Sequence, residues 1–461
     1  MDNQFRITKW CIAFENENII ALLHSLSLFV IYLPKEVGEF IISTKKKNQP
    51  EELKYFKKRL GDDLSKILID KNIIIPNKYN ESNESYILGK KLKDSQPLNI
   101  MYLLLTDGCN FKCKYCFEEI PSLKNFTSCK MNRETAEKAI EKFSQLRRKY
   151  GNDEIITVIN LYGGEPLLNK DVIYFSIVKI KKLINLGYLP QNTQIVLTTN
   201  GSLVTTRLAK FLAQHEVSVG LSIDGPIECN DKYRISKNKK SAFELAYKGY
   251  KILTRSNVEV GISFTITPEV LKNQEGTIDF LIDELGIKNG MGFNILHYNS
   301  KIMPDTTYYT EASEFILKTF KKFRELNIYE DRIMRKVISF LKQNPIYADC
   351  GIIGNQIVVS PDGKIGICQD FIKPRSYFHG SVFDEDYDPV KSNLYNDWEY
   401  RSPLFTKECQ NCEAIAICGG GCPASVEIET GNRWNIDKRF CPHSKITLNW
   451  LIWDTYSHLN Q

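Results

Sequence analysis

Three thiols crowd into one short segment, residues 106–118, TDGCNFKCKYCFE: Cys109, Cys113 and Cys116, in the spacing C-x3-C-x2-C. Three thiolates can hold three irons of a cubane [4Fe–4S] cluster and leave the fourth iron open to chelate a small molecule. The competing chemistry is zinc, which takes four ligands, commonly from paired C-x2-C knuckles. This segment offers three thiols and no neighbouring His. A second crowd fills the last quarter of the chain: Cys350, Cys368, Cys409, Cys412, Cys418, Cys422 and Cys441. Four of these would suffice for a zinc ribbon; seven are more than one such site needs. The N-terminus lacks a signal-peptide apolar core, so a reducing compartment is expected and structural disulfides are not. Clustered thiols there read as metal ligands. Cys11, Cys129 and Cys229 stand alone and read as core or surface thiols.

Other groups recur at intervals. Gly163-Gly164-Glu165-Pro166 combines glycines that permit close backbone approach with a carboxylate that can accept from an ammonium group. Thr199-Asn200-Gly201 follows, then Ser222, then Asp224-Gly225-Pro226, with Arg234 a few residues on, whose planar fork suits a carboxylate. Taken singly, each reads equally well as a turn or cap. Asp370, in the segment CQDF, reads as a base or as an exposed turn carboxylate. The six histidines are dispersed, and spacing assigns them no role.

The elements that must position these groups are legible in the periodicity. Apolar β-type runs at 99–106, 155–164, 193–201, 217–225, 258–267 and 289–297 alternate with helical stretches near 131–150, 170–187, 203–214, 241–256 and 270–286. Six strand–helix units with near-continuous apolar strands predict an α/β architecture, a parallel sheet closing incompletely into a partial (β/α)6 barrel. Active sites of such barrels lie at the C-terminal ends of the strands, where each group above falls. Residues 1–97 read as a small α+β domain, winged-helix-like, ending in a polar linker at 80–94. Residues 301–345 read as bridging helices and 346–461 as the Cys-rich domain. The chain has 461 residues, 43% of them hydrophobic, and a net charge of +6 with both signs interleaved. Two or three domains are expected, without a nucleic-acid partner. No uncharged apolar run reaches 18 residues, so no membrane span is expected, and the protein reads as soluble and cytoplasmic.

On these motifs residues 98–300 resemble the radical S-adenosylmethionine (SAM) superfamily. The resemblance implies that Cys109, Cys113 and Cys116 hold a [4Fe–4S] cluster whose open iron chelates SAM. It implies that Phe117 flanks the adenine and that Gly163, Gly164 and Glu165 receive the methionine amino group. Asn200 joins the same mouth, and Ser222 and Arg234 match positions that hold the ribose and carboxylate. One position departs from the subgroup: Asn230 stands where His is frequent. The chemistry implied is one-electron cleavage of SAM to a 5′-deoxyadenosyl radical that abstracts hydrogen.

The tail, with Gly363 between Cys350 and Cys368, resembles the SPASM extension. This implies two auxiliary clusters, three in all with the SAM-binding one. Cys409, Cys412, Cys418 and Cys441 would hold the outer, and Cys350, Cys368 and Cys422 the inner. Relatives with a four-thiolate inner cluster carry a further Cys soon after the first; here GIIGNQIVV has none, leaving an open iron for a substrate thiolate. Such proteins mostly modify peptides. The reading that follows is a maturase of a ribosomally made precursor, similar to sactipeptide and ranthipeptide synthases. It would form a Cys sulfur-to-carbon thioether, with residues 1–97 receiving a leader peptide as an added strand and a flavodoxin- or ferredoxin-like reductant. The alternatives are a sulfatase-type maturase making formylglycine with Asp370 as base, a carbon–carbon cross-linking maturase, and a non-catalytic zinc or iron–sulfur scaffold.

Overall fold

The computed structural model describes residues 4–94, 96–116, 128–297, 302, 305, 307–396 and 398–459. Six parallel strands form the frame: β1 (Ile100–Leu104), β2 (Thr157–Tyr162), β3 (Thr193–Thr199), β4 (Val217–Ser222), β5 (Val260–Thr265) and β6 (Met291–Asn294). Each pairs with the next in sequence order. The crossovers carry α1 (Arg133–Tyr150), α2 (Lys170–Asn185), α3 (Thr206–Gln214) and α4 (Ala242–Arg255). Their starts are encoded locally. The side chains of Asn132, Thr205 and Ser241 accept from backbone N–H groups of the first turns of α1, α3 and α4, supplying partners those groups otherwise lack.

The strands are less apolar in burial than expected. In β2 and β4 fully buried residues alternate with partly buried ones. Ile159, Leu161, Val219 and Leu221 face the helices, while Asn160, Tyr162, Gly220 and Ser222 face a cavity inside the barrel. A barrel packed solid would place branched apolar residues at those inward positions; here small and polar residues leave space.

The sheet continues past β1. Strand β7 (Gln356–Val359) pairs with it in parallel, and β8 (Lys364–Gly366) and β9 (Phe378–Ser381) follow antiparallel, giving nine strands in the order β6-β5-β4-β3-β2-β1-β7-β8-β9. The Cys-rich region is thus grafted onto the barrel sheet, sharing one hydrophobic core that runs from Phe264 and Leu197 to Ile357 and Trp398. Two helices follow the barrel, α5 (Tyr308–Glu325) and α6 (Asp331–Leu341), and a long helix near the C-terminus, α7 (Phe440–Leu459), packs on α5.

Residues 4–76 form a small domain with two three-stranded sheets, helices Lys35–Lys47, Leu53–Leu60 and Asp62–Asp70, and a core around Ile20, Phe56, Leu68 and Ile74. Residues 80–94, expected as a linker, instead form the helix Glu81–Asp94. Its first residue is buried: Glu81 accepts from Arg6 at 2.7 Å, from the Thr8 hydroxyl and from the Lys9 amide. Farther along, Gly89 lies so close to Phe405 that a Cβ would sit 2.1 Å from its ring. Polarity of the sequence marked a solvated face; contacts at Glu81 and Gly89 hold the segment on the protein. The small domain also docks on the Cys-rich region: Leu23 and Leu28 pack with Ile417, Leu448 and Leu451, and Tyr32 donates to the carbonyl of Ile452 at 2.6 Å.

Candidate active site

A cavity of about 650 Å³ opens at the C-terminal ends of the strands. Cys109, Cys113 and Cys116 line one part of its wall, and Cys350, Cys368 and Cys422 another.

The first triad sits on the loop after β1. Two of its backbone amides, Lys112 and Lys114, donate to the carbonyls of Ile235 and Tyr233 at 2.7 and 2.8 Å, which staples the loop to the segment carrying Arg234. The Phe111 amide donates to the Cys109 sulfur at 3.3 Å, the kind of contact that tunes a cluster thiolate. Gly163 and Gly164 are explained by the same loop. A Cβ on Gly163, whose φ is +140°, would lie 2.2 Å from the Thr106 carbonyl oxygen, and one on Gly164 would lie 2.4 Å from that of Gly108. The close approach these glycines permit is to the cysteine loop, and the amides of Gly164 and Glu165 donate to the Thr106 and Gly108 carbonyls, each at 2.9 Å.

Glu165 is 1% exposed. Its carboxylate accepts from the Leu167 amide, the Thr199 hydroxyl and the Asn200 amide at 3.0, 2.6 and 2.8 Å. An ionised carboxylate offers about four acceptor positions, so the chain fills most of them and ties β2 to β3. Burial pushes its pKa up, against those bonds. The Asn200 side chain donates to Asn110 at 2.9 Å, within the cysteine loop. Ser222 lines the cavity at the end of β4. Arg234 also reaches it, but its fork is engaged: Nε and an Nη donate to Asp224 at 2.7 and 3.1 Å. Tyr115 donates to the same carboxylate, which is completely buried. Asn230 accepts from the Asp224 amide at 3.1 Å, so this departure from the subgroup holds the turn that holds Arg234. Phe117 lies outside the described residues.

The thiols of the tail fall into two groups. Burial first, then the thiols of Cys418, Cys412 and Cys441, push Cys409 up to about 12. Cys350 is pushed to about 12 by burial and by Cys422, while burial, Asp370, Cys350 and Cys422 raise Cys368. The fold therefore gathers Cys409, Cys412, Cys418 and Cys441 at one place and Cys350, Cys368 and Cys422 at another. Thiols so placed become thiolates only beside strong positive charge, as metal ligation provides. All thirteen cysteines are free of disulfides. Among the described residues no three His, Cys, Asp or Glu groups converge on a point for a single metal ion. The donor set fits iron–sulfur ligation. The turn that presents Cys418 and Cys422, Gly419-Gly420-Gly421, has positive φ throughout. It is pinned by the Cys422 amide donating to Asp437 at 2.8 Å, and Asp437 is clamped by Arg439 at 2.7 Å.

Asp370 is 4% exposed and lines the cavity beside Cys368. It is not an exposed turn carboxylate. Burial raises its pKa to about 6 although Arg439 opposes the shift. Its Oδ2 lies 3.8 Å from Nδ1 of His297, which burial and then Arg439 push down to about 3, leaving a neutral imidazole. His297, Arg332, Arg335 and Arg439 all line the cavity, and none was singled out from the sequence. His297 follows the sixth strand and Arg332 opens a bridging helix; their only signal was position at a barrel-strand end and at the next helix start.

Residues 103–281 match the family model of the Radical SAM superfamily. Those residues of the chain form a Radical SAM domain. The chain is similar over 95% of its length to the radical SAM cyclopropyl synthase TigE of Paramaledivibacter caminithermalis, at 25% identity and covering 93% of that protein. It is 26% identical to the cysteine-type anaerobic sulfatase-maturating enzyme of Clostridium novyi, over 76% of this chain and 93% of that one. Among solved structures, anSMEcpe with bound AdoMet superposes with a TM-score of 0.64 at 19% identity, covering 78% of this chain and 99% of that one. SuiB of Streptococcus suis, bound to precursor peptide SuiA, superposes with a TM-score of 0.55 at 15% identity, covering 95% and 99%. The fold, its N-terminal domain included, is thus shared with that structure. No described helix is long and apolar enough to cross a membrane.

Proposed function

We propose that this enzyme matures a ribosomally made precursor peptide by joining a Cys sulfur of that peptide to a carbon of another residue, with net loss of two hydrogens. The observation that carries the reading is the single cavity onto which both thiol triads open. In this reading Cys109, Cys113 and Cys116 hold the SAM-binding [4Fe–4S] cluster, Cys350, Cys368 and Cys422 an inner one, and Cys409, Cys412, Cys418 and Cys441 an outer one. When bound, these groups and SAM supply hydrogen abstraction by a 5′-deoxyadenosyl radical and an acceptor for the second electron. The chain supplies the rest. Small inward residues on β4, Gly220 and Ser222, leave room for a peptide segment, and Asn200, Ser222 and Arg234 sit on the SAM side. Asp370 Oδ2, buried in the wall, takes the proton released as the new bond forms. The inner triad offers three thiols where a cubane has four irons, and a Cys of the substrate is a natural fourth ligand. The small N-terminal domain receives the leader, and a flavodoxin- or ferredoxin-like protein delivers electrons. Support comes also from the similar proteins, among them sulfatase-maturating enzymes and a structure named with its precursor peptide.

A second reading, a carbon–carbon bond within the peptide, is favoured by the similarity to a cyclopropyl synthase over nearly the whole chain. Mass spectrometry separates the two. The precursor peptide encoded beside the gene is incubated anaerobically with reconstituted enzyme, SAM and reductant, then alkylated. A loss of two hydrogens per link with one Cys protected from alkylation is expected. The same loss with every Cys alkylated selects the carbon–carbon reading, and an unchanged mass overturns both.

A further inference from the structure

Among the described residues four arginines line the cavity, and three are already spoken for. Arg234 is forked onto Asp224, Arg439 onto Asp437, and Arg335 pairs with Asp349 and Asp331. The fourth, Arg332, differs. Its guanidinium donates through Nε to the carbonyl of Phe293 and through an Nη to Oδ1 of Asn294, both at the end of β6. Among the described residues no carboxylate lies within ion-pair distance of it. The carboxylates nearest are committed: both oxygens of Glu330 cap α6, accepting from the amides of Arg332 and Ile333, and Asp331 and Asp349 serve Arg335. Burial, followed by the neighbouring charge of Arg335, works against the Arg332 charge. The Phe440 ring centroid lies 5.2 Å from the guanidinium carbon. A partly buried guanidinium held at one edge by neutral acceptors, with the rest of its fork facing a cavity, is a seat for a carboxylate.

We infer that Arg332 forms a carboxylate-binding subsite of the cavity, and that the carboxylate is an Asp or Glu side chain or the C-terminus of the peptide substrate. The other available source is the methionyl carboxylate of SAM. Position favours the peptide. Arg332 hangs from the β6 edge of the sheet, at the far end from β1 and its cysteine loop. Asp349, one of the charges acting on it, is the residue before Cys350 of the inner triad. The subsite would hold the peptide by a fixed charge on the inner-triad side of the cavity, which selects for an acidic residue near the reacting carbon. The inference rests on the peptide-maturase reading.

The test uses reconstituted full-length enzyme, its Arg332→Gln and Arg332→Lys variants, and the encoded precursor peptide with each acidic group amidated in turn. Peptide and SAM affinities are measured, together with peptide mass after turnover. Arg332→Gln is expected to weaken peptide binding about tenfold or more, the size of one charge-assisted contact, and Arg332→Lys to recover part of it. One amidated peptide should show the same loss with wild type and no further loss with Arg332→Gln, the coupling of a direct pair. SAM affinity should stay within about twofold, well below one such contact. A loss confined to SAM affinity would assign the carboxylate to SAM and overturn the peptide subsite; so would additive losses for every acidic group, or unchanged binding. Mass change without coupling sinks the subsite and leaves the maturase reading; coupling without mass change does the reverse; neither sinks both.

Discussion

The cavity's two thiol triads are built in opposite ways. Cys109, Cys113 and Cys116 come from one loop, clamped against Gly163 and Gly164 on one side and the Tyr233–Ile235 backbone on the other. Cys350, Cys368 and Cys422 come from three separate turns, brought together by β7 joining the barrel sheet and by the Gly419–Gly421 turn pinned to Asp437. The first triad is a local object that the barrel supports. The second exists only when the tail has folded onto the barrel. A local site depends on a few close backbone contacts, whereas an assembled site depends on every contact that joins its parts.

The largest expected effect comes from replacing Cys109, Cys113 and Cys116 together by Ala. Formation of 5′-deoxyadenosine, followed by chromatography under reducing conditions, should vanish; persistence of SAM cleavage would refute the assignment of this loop. Cys422→Ala sharpens the comparison from the other side. Iron content should fall and peptide product disappear, while SAM cleavage continues without product. If SAM cleavage were lost equally, the two triads would not be separable. Gly164→Ala asks whether the local triad depends on its backbone clamp. The added methyl meets the Gly108 carbonyl, a backbone clash that should cost about 1–3 kcal/mol in thermal or denaturant unfolding and lower SAM-dependent cleavage. An unaltered melting profile and full cleavage would show that the loop is held by something else.

Much of this could be read before folding was considered. The six strands and the first four helices lie inside the spans assigned from periodicity, because a run of alternating strand and helix periods has few packings. The barrel triad was legible because its spacing is local. What sequence leaves open is a residue's partner. The glycines of GGEP, which permit close backbone approach, meet the cysteine loop. The fork of Arg234, which suits a carboxylate, also holds that of Asp224, ten residues earlier. The polar stretch at 80–94, expected as a linker, is a helix anchored at Glu81 and Gly89. Sequence gives a residue's chemistry but not what faces it.

The sequence by itself determined the strand–helix order, the barrel-mouth placement of the motifs and the three thiols of the first loop, all of which follow from spacing and period within a few turns of chain. Only the tertiary structure decided that Asp370 is buried beside His297, and that among the described residues Arg332 alone of the four cavity arginines faces no carboxylate. Those are statements about desolvation and pairing, and both depend on what distant segments bring within a few ångströms.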